Sequence, residues 1–353
     1  MGYRLTIEPL GETLELEDGQ SILDGALRAG IWLPYACNHG LCGTCKVDVL
    51  EGEVEHHHAS SFALMDVERE EGKTLACCAT LLSDVTIEAE VDEETDGQRL
   101  AVGDYHARVS RIETLTPTIK GLCLTLDGAG LAFQAGQYLN LEIPGLTQAR
   151  AFSIASAPSS PHEIELHIRK VEGGAGTAYL HEQLKVGDEL RFTAPLGRFF
   201  VRRSAPEPML FLAGGSGLSS PKAMIVDLLE AGDTRAITLV HGARSRDEFY
   251  CRELFEGLAA RHANFRYVAA LSDADDPDWQ GERGYVHEVA ERLFDGRFTG
   301  LKAYLCGPPA MIDACITSLM RGRLFEEHIF MEHFFTAADA AQPARRSALF
   351  RKF

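Results

Sequence analysis

The fold of the first part of the chain is decided by the stretch Cys37-Asn38-His39-Gly40-Leu41-Cys42-Gly43-Thr44-Cys45. Its C-x4-C-x2-C spacing is that of [2Fe–2S] ligands, which need a fourth, distant cysteine. The segment Leu75-Ala76-Cys77-Cys78 supplies one. Thiolates are soft ligands that suit iron–sulfur clusters, and Gly40 and Gly43 let the loop turn sharply around the cluster. The pattern predicts an iron–sulfur site.

Two other interpretations of these residues are a structural zinc site and a set of buried thiols. Zinc sites of the knuckle type present paired C-x2-C units, and only one such pair occurs in this stretch. His56-His57-His58 resembles a metal-binding tract, but consecutive residues of a strand cannot all face one ion. We expect the histidine tract to be a solvated loop.

The chain has 353 residues, which predicts two or three domains. Nine cysteines, most of them scattered, are typical of a reducing compartment. The sequence begins directly with a strand-like pattern, so we expect no signal peptide. No apolar run approaches the ~18 residues of a membrane span. These features favour a cytoplasmic protein.

The charge of the chain is concentrated in its first part. Residues 1–96 contain 21 acidic and 5 basic residues, a net charge of −16, whereas the other 31 acidic and 29 basic residues give only −2. Such a surface is a poor partner for nucleic acid. It suits a basic protein surface instead.

Residues 1–94 show the pattern of a small mixed sheet crossed by one helix. Tyr3–Glu8 alternates like a half-buried strand, and Glu12–Leu16 is its expected hairpin partner. Ser21-Ile22-Leu23-Asp24 is a capping pattern that opens a helix. The stretch Asp92–Gln98 is charged and lacks periodicity, which predicts a linker, assigned to residues 95–102.

The remaining chain divides into two patterns. Residues 103–204 contain short strands separated by Gly and Pro, which predict an antiparallel β-barrel. Residues 205–338 alternate apolar strands with helices, which predicts a parallel sheet with helices on both faces. Residues 339–353 form a polar tail that we expect to be mobile.

Two features of the barrel region suggest a flavin dinucleotide. Arg150-Ala151-Phe152-Ser153 offers a guanidinium, an aromatic ring and a hydroxyl. Alone, it is more typical of an ordinary strand edge with a solvated arginine. Gly173-Gly174-Ala175-Gly176-Thr177 precedes an expected helix over 178–183, whose amino end would bind a pyrophosphate.

The third region carries a glycine-rich turn after its first strand, Gly214-Gly215-Ser216-Gly217. Ser220 fits an N-cap and Pro221 the first helical position. The turn matches neither of the familiar dinucleotide or P-loop fingerprints, and a plain strand–helix turn is the alternative. Cys306-Gly307 ends a later strand, on the side where ligands bind in open α/β sheets.

Motifs along nearly the whole chain resemble the ferredoxin–NADP reductase-type electron-transfer family with an N-terminal plant-type ferredoxin domain. Within it, the chain is most similar to reductase components of multicomponent phenol hydroxylases. The motifs are CNHGLCGTCKVDVLEGEV, SSFALMDVEREEGKTLACCA, TPTIKGL, FQAGQYLNLEIPG, RAFSIAS, HIRKVEGGAGTAYLHEQLKVGD, LFLAGGSGLSSPKAMIVDLLE, YLCGPPAMIDA and IFMEHFFTAAD. The resemblance implies a β-grasp [2Fe–2S] ferredoxin domain, an antiparallel β-barrel FAD domain and a parallel-sheet α/β NAD domain.

The resemblance also implies roles for individual residues. The cluster ligands would be Cys37, Cys42, Cys45 and Cys77, with Cys78 as the adjacent alternative. The cofactor-binding residues of the barrel would be Arg150, Ala151, Phe152, Ser153, His167, Arg169, Gly174, Gly176 and Thr177. Those of the third region would be Gly214, Gly215, Ser216, Gly217, Cys306, Gly307 and Phe334. Catalytic roles would fall to Ser153, Cys306 and Glu332. Phe152 stands where the family usually has Tyr, so a hydroxyl contact is lost.

The activity implied by the resemblance is that of an NADH-dependent reductase. Electrons would pass from NADH to FAD, then to the [2Fe–2S] cluster, then to the diiron oxygenase of a phenol (aromatic) hydroxylase. Two alternatives are the reductase of an aromatic-ring dioxygenase and a redox-sensing binding protein built from the same modules. We expect the oxygenase to dock on the acidic ferredoxin domain.

Overall fold

The computed structural model describes residues 2–35, 38, 40–91, 94–273 and 276–333, with only the backbone of His333. Cys37, Phe334 and the expected tail 339–353 lie outside the described residues. The chain divides into two compact units, residues 2–103 and residues from 104 onward.

The first unit is a mixed sheet crossed by a helix. Its elements are β1 (Tyr3–Glu8), β2 (Glu12–Leu16), α1 (Ile22–Arg28), β3 (Lys46–Glu51), β4 (Val54–Glu55), α2 (Asp66–Glu70), β5 (Lys73–Leu75), β6 (Thr80–Leu81) and β7 (Val85–Glu88). The main sheet has the order β2-β1-β7-β3-β5, and β4 pairs with β6. β1 runs parallel to β7 and antiparallel to β2. The arrangement matches the predicted β-grasp fold.

The end of β5 and the start of β3 bring the later part of the cysteine pattern together. Lys46 pairs with Leu75 across these strands, and the amide of Ala76 donates to the carbonyl of Cys45 at 2.9 Å. Helix α1 also contacts the segment just before Cys77, because the amide of Leu23 donates to the carbonyl of Ala76 at 2.8 Å. As predicted, Ser21 caps α1 by accepting from the amide of Asp24.

Residues 94–102, which the sequence analysis assigned largely to a linker, pack on this first unit. The amide of Val102 donates to the carbonyl of Leu27 at 3.1 Å. Arg99 forms an ion pair with Glu12 at 2.7 Å.

The barrel is the first part of the second unit. Its elements are β8 (Gly103–Thr114), β9 (Ile119–Leu126), β10 (Tyr138–Glu142), β11 (Arg150–Ser153), β12 (Glu163–Arg169), α3 (Ala175–Glu182) and β13 (Glu189–Leu196). The order is β11-β10-β13-β8-β9-β12. A bridge between Ile154 and Leu166 joins the two outer strands and closes the sheet. The predicted antiparallel barrel is confirmed.

The rest of the second unit is a parallel sheet with helices. Its elements are β14 (Met209–Gly214), α4 (Ser219–Glu230), β15 (Ile237–Ala243), α5 (Arg252–Arg261), β16 (Phe265–Leu271), β17 (Glu282–Arg283), α6 (Val286–Leu293), β18 (Lys302–Gly307), α7 (Pro309–Arg321) and β19 (Ile329–His333). The order is β17-β16-β15-β14-β18-β19, and neighbouring strands are parallel. The order reverses at β14, and ligands bind at such a switch point in open α/β sheets.

The barrel and the parallel sheet share a hydrophobic core. Ile119 and Phe199 of the barrel region pack in one cluster with Met224 of α4. Glu248, after β15, accepts hydrogen bonds from the hydroxyls of Thr116 and Thr118 at 2.9 and 2.7 Å. Among the described residues, no helix is both long enough and apolar enough to cross a membrane.

Candidate functional site

Two of the predicted cluster ligands meet between β3 and β5. Cys45 and Cys77 are joined by a hydrogen bond between their thiols, which raises the pKa of Cys45 and, despite burial, lowers that of Cys77 to about 6. The thiolate is the form that binds metal. Cys42 lies exposed on the loop, and Cys37 lies outside the described residues. The thiols that are described therefore suit the predicted cluster.

Cys78 occupies a different position from Cys77. It is buried, its sulfur lies 3.6 Å from that of Cys77, and it contacts Nε2 of His58 at 3.6 Å. A β-carbon on Gly40 would lie 2.6 Å from the Cys78 sulfur, so this thiol sits behind the cysteine loop. No three described Cys, His, Asp or Glu side chains converge on one metal position. The four thiolates of a [2Fe–2S] cluster are shared by two irons.

The histidine tract lies in a turn after β4, and His57 and His58 are exposed, as expected for a solvated loop. Nδ1 of His56 bonds to the hydroxyl of Thr74 at 2.8 Å, and Nε2 of His57 bonds to that of Thr80 at 2.7 Å. His58 contacts Cys78, so all three imidazoles contact the segment 74–80 that carries Cys77. The tract therefore stabilises the segment that contains the fourth predicted ligand.

The two predicted phosphate-binding features of the barrel are neighbours in space. Gly176 is buried in the first turn of α3, and a β-carbon there would lie 3.5 Å from Cγ of Arg150. Arg150 itself is exposed, and its guanidinium donates to the carbonyls of Gln148 and Ala149. Gly174 is the N-cap residue of α3 and has no side chain to bond the first amides. These amides and the guanidinium suit a pyrophosphate.

The other barrel residues of the prediction take different positions. Thr177 accepts from the amide of Val171 at 3.0 Å, so its hydroxyl holds the turn before α3. Phe152 packs on the barrel core. The His167 side chain is fully buried, whereas Arg169 is exposed, and its Nη1 lies 3.2 Å from where a β-carbon of Gly215 would be. Ala151 is exposed on β11.

The glycine-rich turn after β14 packs tightly against β18. Gly215–Leu218 forms a 3₁₀ turn, and Gly215 has a φ of +56°, which glycine adopts without strain. A β-carbon at Gly217 would lie 2.3 Å from the carbonyl oxygen of Cys306, so no larger residue fits. Gly214 ends β14, and Ser216 is buried in the turn. The prediction that Ser220 is an N-cap was wrong, because α4 begins at Ser219 with Leu218 as its N-cap.

The hydroxyl of Ser220 serves a cluster around Glu332 instead. Oε2 of Glu332 accepts hydrogen bonds from Ser153 at 2.8 Å and Ser220 at 2.9 Å, and the thiol of Cys306 lies 3.8 Å away. Glu332 faces Cys306 because their strands pair in register. Burial raises the pKa of Glu332 even though the hydroxyls favour the carboxylate. The structure thereby joins the three residues predicted to be catalytic, where the barrel meets the parallel sheet.

Glu165 and Lys222 form a further contact that was not predicted from the sequence. Nζ of Lys222, in the first turn of α4, lies 2.6 Å from Oε2 of Glu165 on β12. The sequence carried no clear signal for them. β12 alternates polar and apolar residues like an ordinary half-exposed strand, and Lys222 follows two serines and a proline at the start of α4.

Comparison with protein families recovers the same three parts. A 2Fe-2S iron-sulfur cluster binding domain matches residues 5–82, an oxidoreductase FAD-binding domain matches 106–201, and an oxidoreductase NAD-binding domain matches 211–316. The reductase component of phenol 2-monooxygenase from Pseudomonas sp. (strain CF600) is 61% identical, with 100% of both chains covered. The chain belongs to the phenol hydroxylase reductase family.

Other members and relatives of the phenol hydroxylase reductase family are similar to nearly the whole chain. The phenol hydroxylase P5 protein of Acinetobacter pittii (strain PHEA-2) is 55% identical, with 99% of each chain covered. The solved Amycolatopsis cytochrome P450 reductase has 33% identity and a TM-score of 0.84, covering 94% of this chain and 98% of that one. A ferredoxin reductase in carbazole 1,9a-dioxygenase has 28% identity and a TM-score of 0.76, covering 95% and 99%.

The family member is an NAD(P)H-dependent oxidoreductase with [2Fe–2S], FAD and NAD domains. When bound, a flavin accepts a hydride from nicotinamide and releases electrons singly, which suits a one-electron cluster. The residues predicted to hold these groups lie in three places: the paired thiols in the first unit, Arg150 beside the amino end of α3, and the Glu332 cluster between the barrel and the sheet.

Proposed function

We propose that this chain carries electrons from NADH to the hydroxylase component of a phenol or aromatic monooxygenase. The observation that supports this most is identity of 61% and 55%, over all three domains, with phenol hydroxylase reductases. The purified chain, mixed with NADH and such a hydroxylase component, should sustain hydroxylation of phenol. Turnover only with an aromatic-ring dioxygenase component would favour that alternative. The absence of NADH-dependent cytochrome c reduction would favour a sensor.

The residue roles are part of this proposal. Arg150 and the amino end of α3 bind the flavin pyrophosphate, and Ser153 lies beside the reactive edge of the flavin ring. The turn Gly214–Gly217 binds the nicotinamide dinucleotide, with Cys306 and Gly307 near the nicotinamide. The position of the Glu332 cluster supports the placement of the nicotinamide beside the flavin, because the cluster lies where the carboxyl ends of β18 and β19 meet the barrel.

We further propose that the hydroxylase docks on the acidic face of the ferredoxin domain. The candidate carboxylates lie between the third and fourth predicted cluster ligands: Glu51, Glu53, Glu55, Asp66, Glu68, Glu70 and Glu71. All but Glu68 are exposed. Glu68 is held by Lys46 at 2.5 Å and accepts from the amide of Met65, so it supports α2. Asp66 and Glu70 are therefore the better docking candidates.

The docking proposal predicts a selective effect of charge. Reversal of Asp66 and Glu70 to lysine should slow electron transfer to the hydroxylase, because complementary charge mainly accelerates encounter. Rising salt should slow the same step, since the Debye length is only about 8 Å at ~0.15 M. Stopped-flow mixing of the reduced chain with hydroxylase measures this rate, while NADH-to-flavin transfer should barely change.

Glu15→Lys is a matched control for the docking experiment. Glu15 is exposed on β2, at the opposite edge of the sheet from β5. It should leave transfer to the hydroxylase nearly unchanged. Docking through this face would be ruled out if the rate of electron transfer to the hydroxylase changed neither with salt nor with the Asp66 and Glu70 reversals.

We propose that the chain prefers NADH to NADPH. Of the two arginines that follow β15, Arg246 is held by both oxygens of Asp276, at 2.9 and 2.7 Å. A guanidinium occupied in this way is less able to bind a 2′-phosphate. Asp276→Ala should therefore raise kcat/KM for NADPH relative to NADH roughly two- to fivefold, as expected for a partly exposed ion pair. A higher kcat/KM with NADPH in the unaltered chain would contradict the proposal.

A further inference from the structure

A largely buried ion pair connects the barrel wall to the helix that follows the glycine-rich turn. Nζ of Lys222 donates to Oε2 of Glu165 at 2.6 Å and to the carbonyl of Ala155 at 3.1 Å. Lys222 is only 9% exposed. Glu165 and Ala155 belong to the barrel region, whereas Lys222 lies four residues into α4.

The same network reaches the start of the turn from the other side. Nε2 of His167 bonds to Oε1 of Glu165 at 2.8 Å. The His167 ring meets the ring of Tyr250 edge-on, with centroids 5.0 Å apart. The Tyr250 hydroxyl donates to the carbonyl of Gly215 at 3.1 Å. β12 is therefore linked to Gly215 through Tyr250 and directly to Lys222 through Glu165.

Stability alone does not account for this arrangement. Burying two charges carries a desolvation penalty, and replacement by apolar residues is often neutral or stabilising. A lysine in the first turn also lies at the end of the helix dipole that disfavours cations. The best-attested use of buried ionic groups is to fix the register of packed elements.

The neighbours of Glu165 favour its ionised form. Burial opposes ionisation of Glu165, but the hydrogen bond with His167 and the charge of Lys222 outweigh it and lower the pKa of Glu165 to about 2. Burial lowers the pKa of His167, which favours the neutral imidazole. The two oxygens of the Glu165 carboxylate bond to different partners, His167 and Lys222, so the orientation of the carboxylate is fixed. A contact that positions two elements requires such a fixed orientation.

We propose that Glu165, His167 and Lys222 are positioning residues for hydride transfer. Together they hold the glycine-rich turn at a fixed place against the barrel, and so set the approach of the nicotinamide to the flavin. This inference rests on the proposed placement of the nicotinamide at that turn. It assigns Glu165 and Lys222 a role in the reaction, although neither reaches the reacting atoms.

The test is anaerobic stopped-flow reduction of the bound flavin by NADH in the full-length holoprotein. Lys222→Met and Glu165→Gln should each lower the limiting rate about ten- to a hundredfold, because displacements near 1 Å cost that much in oriented reactions. The apparent Kd for NADH should change less than the rate. Rates are compared per bound FAD, and thermal denaturation is recorded for each variant.

The double variant distinguishes positioning from simple stabilisation. Glu165→Gln with Lys222→Met should be no slower than the slower single variant, because the two residues act as one unit. Lys170→Met is the matched control, since Lys170 forms an exposed pair with Glu182 just after β12. It should reduce its flavin at the normal rate.

Several outcomes would overturn the inference. They are normal limiting rates in both single variants, losses that multiply in the double variant, or losses confined to thermal stability and FAD content. Failure of the unaltered chain to reduce its flavin with NADH is a different result. It would overturn the proposed function itself, and the positioning role with it.

Discussion

Serine in place of Cys77 is expected to abolish the iron–sulfur cluster, while serine in place of Cys78 should leave it bound. The thiol of Cys77 shares a hydrogen bond with that of Cys45, so its sulfur faces another predicted ligand. The sulfur of Cys78 instead lies behind Gly40 and contacts His58. Iron and sulfide content, with the visible absorption of the cluster, measures the difference.

The two adjacent cysteines make this a matched pair of substitutions. Both variants should keep FAD, because the barrel belongs to the other unit of the chain. Both should therefore still reduce their flavin with NADH, and only Cys77→Ser should fail to pass electrons on to a hydroxylase. Cluster loss in Cys78→Ser with retention in Cys77→Ser would show that the assignment of the fourth ligand is wrong.

Removal of the Glu332 carboxylate is expected to slow flavin reduction by about a hundredfold in Glu332→Ala, since one carboxylate oxygen orients hydroxyls from two domains. Glu332→Gln keeps an oxygen that can accept these bonds and should lie closer to the normal rate. Burial raises the pKa of Glu332, so its protonated form persists to higher pH than usual. The rate in Glu332→Gln should therefore lose any pH dependence that arises from this carboxyl.

Cys306→Ala tests the neighbouring thiol with a smaller change. Cys306 is fully buried, and alanine retains the backbone carbonyl that lies against Gly217. FAD content and thermal stability should remain near normal, while flavin reduction slows. Stopped-flow reduction at the normal rate would indicate that Cys306 is only a packed thiol, and an unaltered rate in Glu332→Ala would remove the carboxylate from the mechanism.

Short-range patterns in the sequence were sufficient to predict the architecture. The strands Tyr3–Glu8 and Glu12–Leu16 have the predicted bounds, because alternation of apolar and polar residues directly reflects the geometry of a half-buried strand. The order of barrel and parallel sheet followed from the change in strand and helix pattern after residue 204. The cysteine spacing likewise indicated the cluster, since three of its ligands lie on one short loop.

Misreadings arose where a polar residue has a distant partner. Ser220 has the local sequence of an N-cap, yet its hydroxyl bonds to Glu332, 112 residues away. His57 and His58 are exposed as predicted, but the hydrogen bonds of His56 and His57 to Thr74 and Thr80 were not predicted. Local propensity describes only the nearby backbone, so it cannot show which side chain will come within hydrogen-bonding distance after folding.

The sequence by itself determined the three-part organisation, the cluster spacing and the residue types available for flavin and nicotinamide. The tertiary structure decided how these residues meet. Ser153, Ser220 and Glu332 come from a barrel strand, a helix and the last described strand. They converge because β18 and β19 lie beside β14 rather than beyond β17. That strand order depends on packing across the whole unit, which no short stretch of sequence specifies.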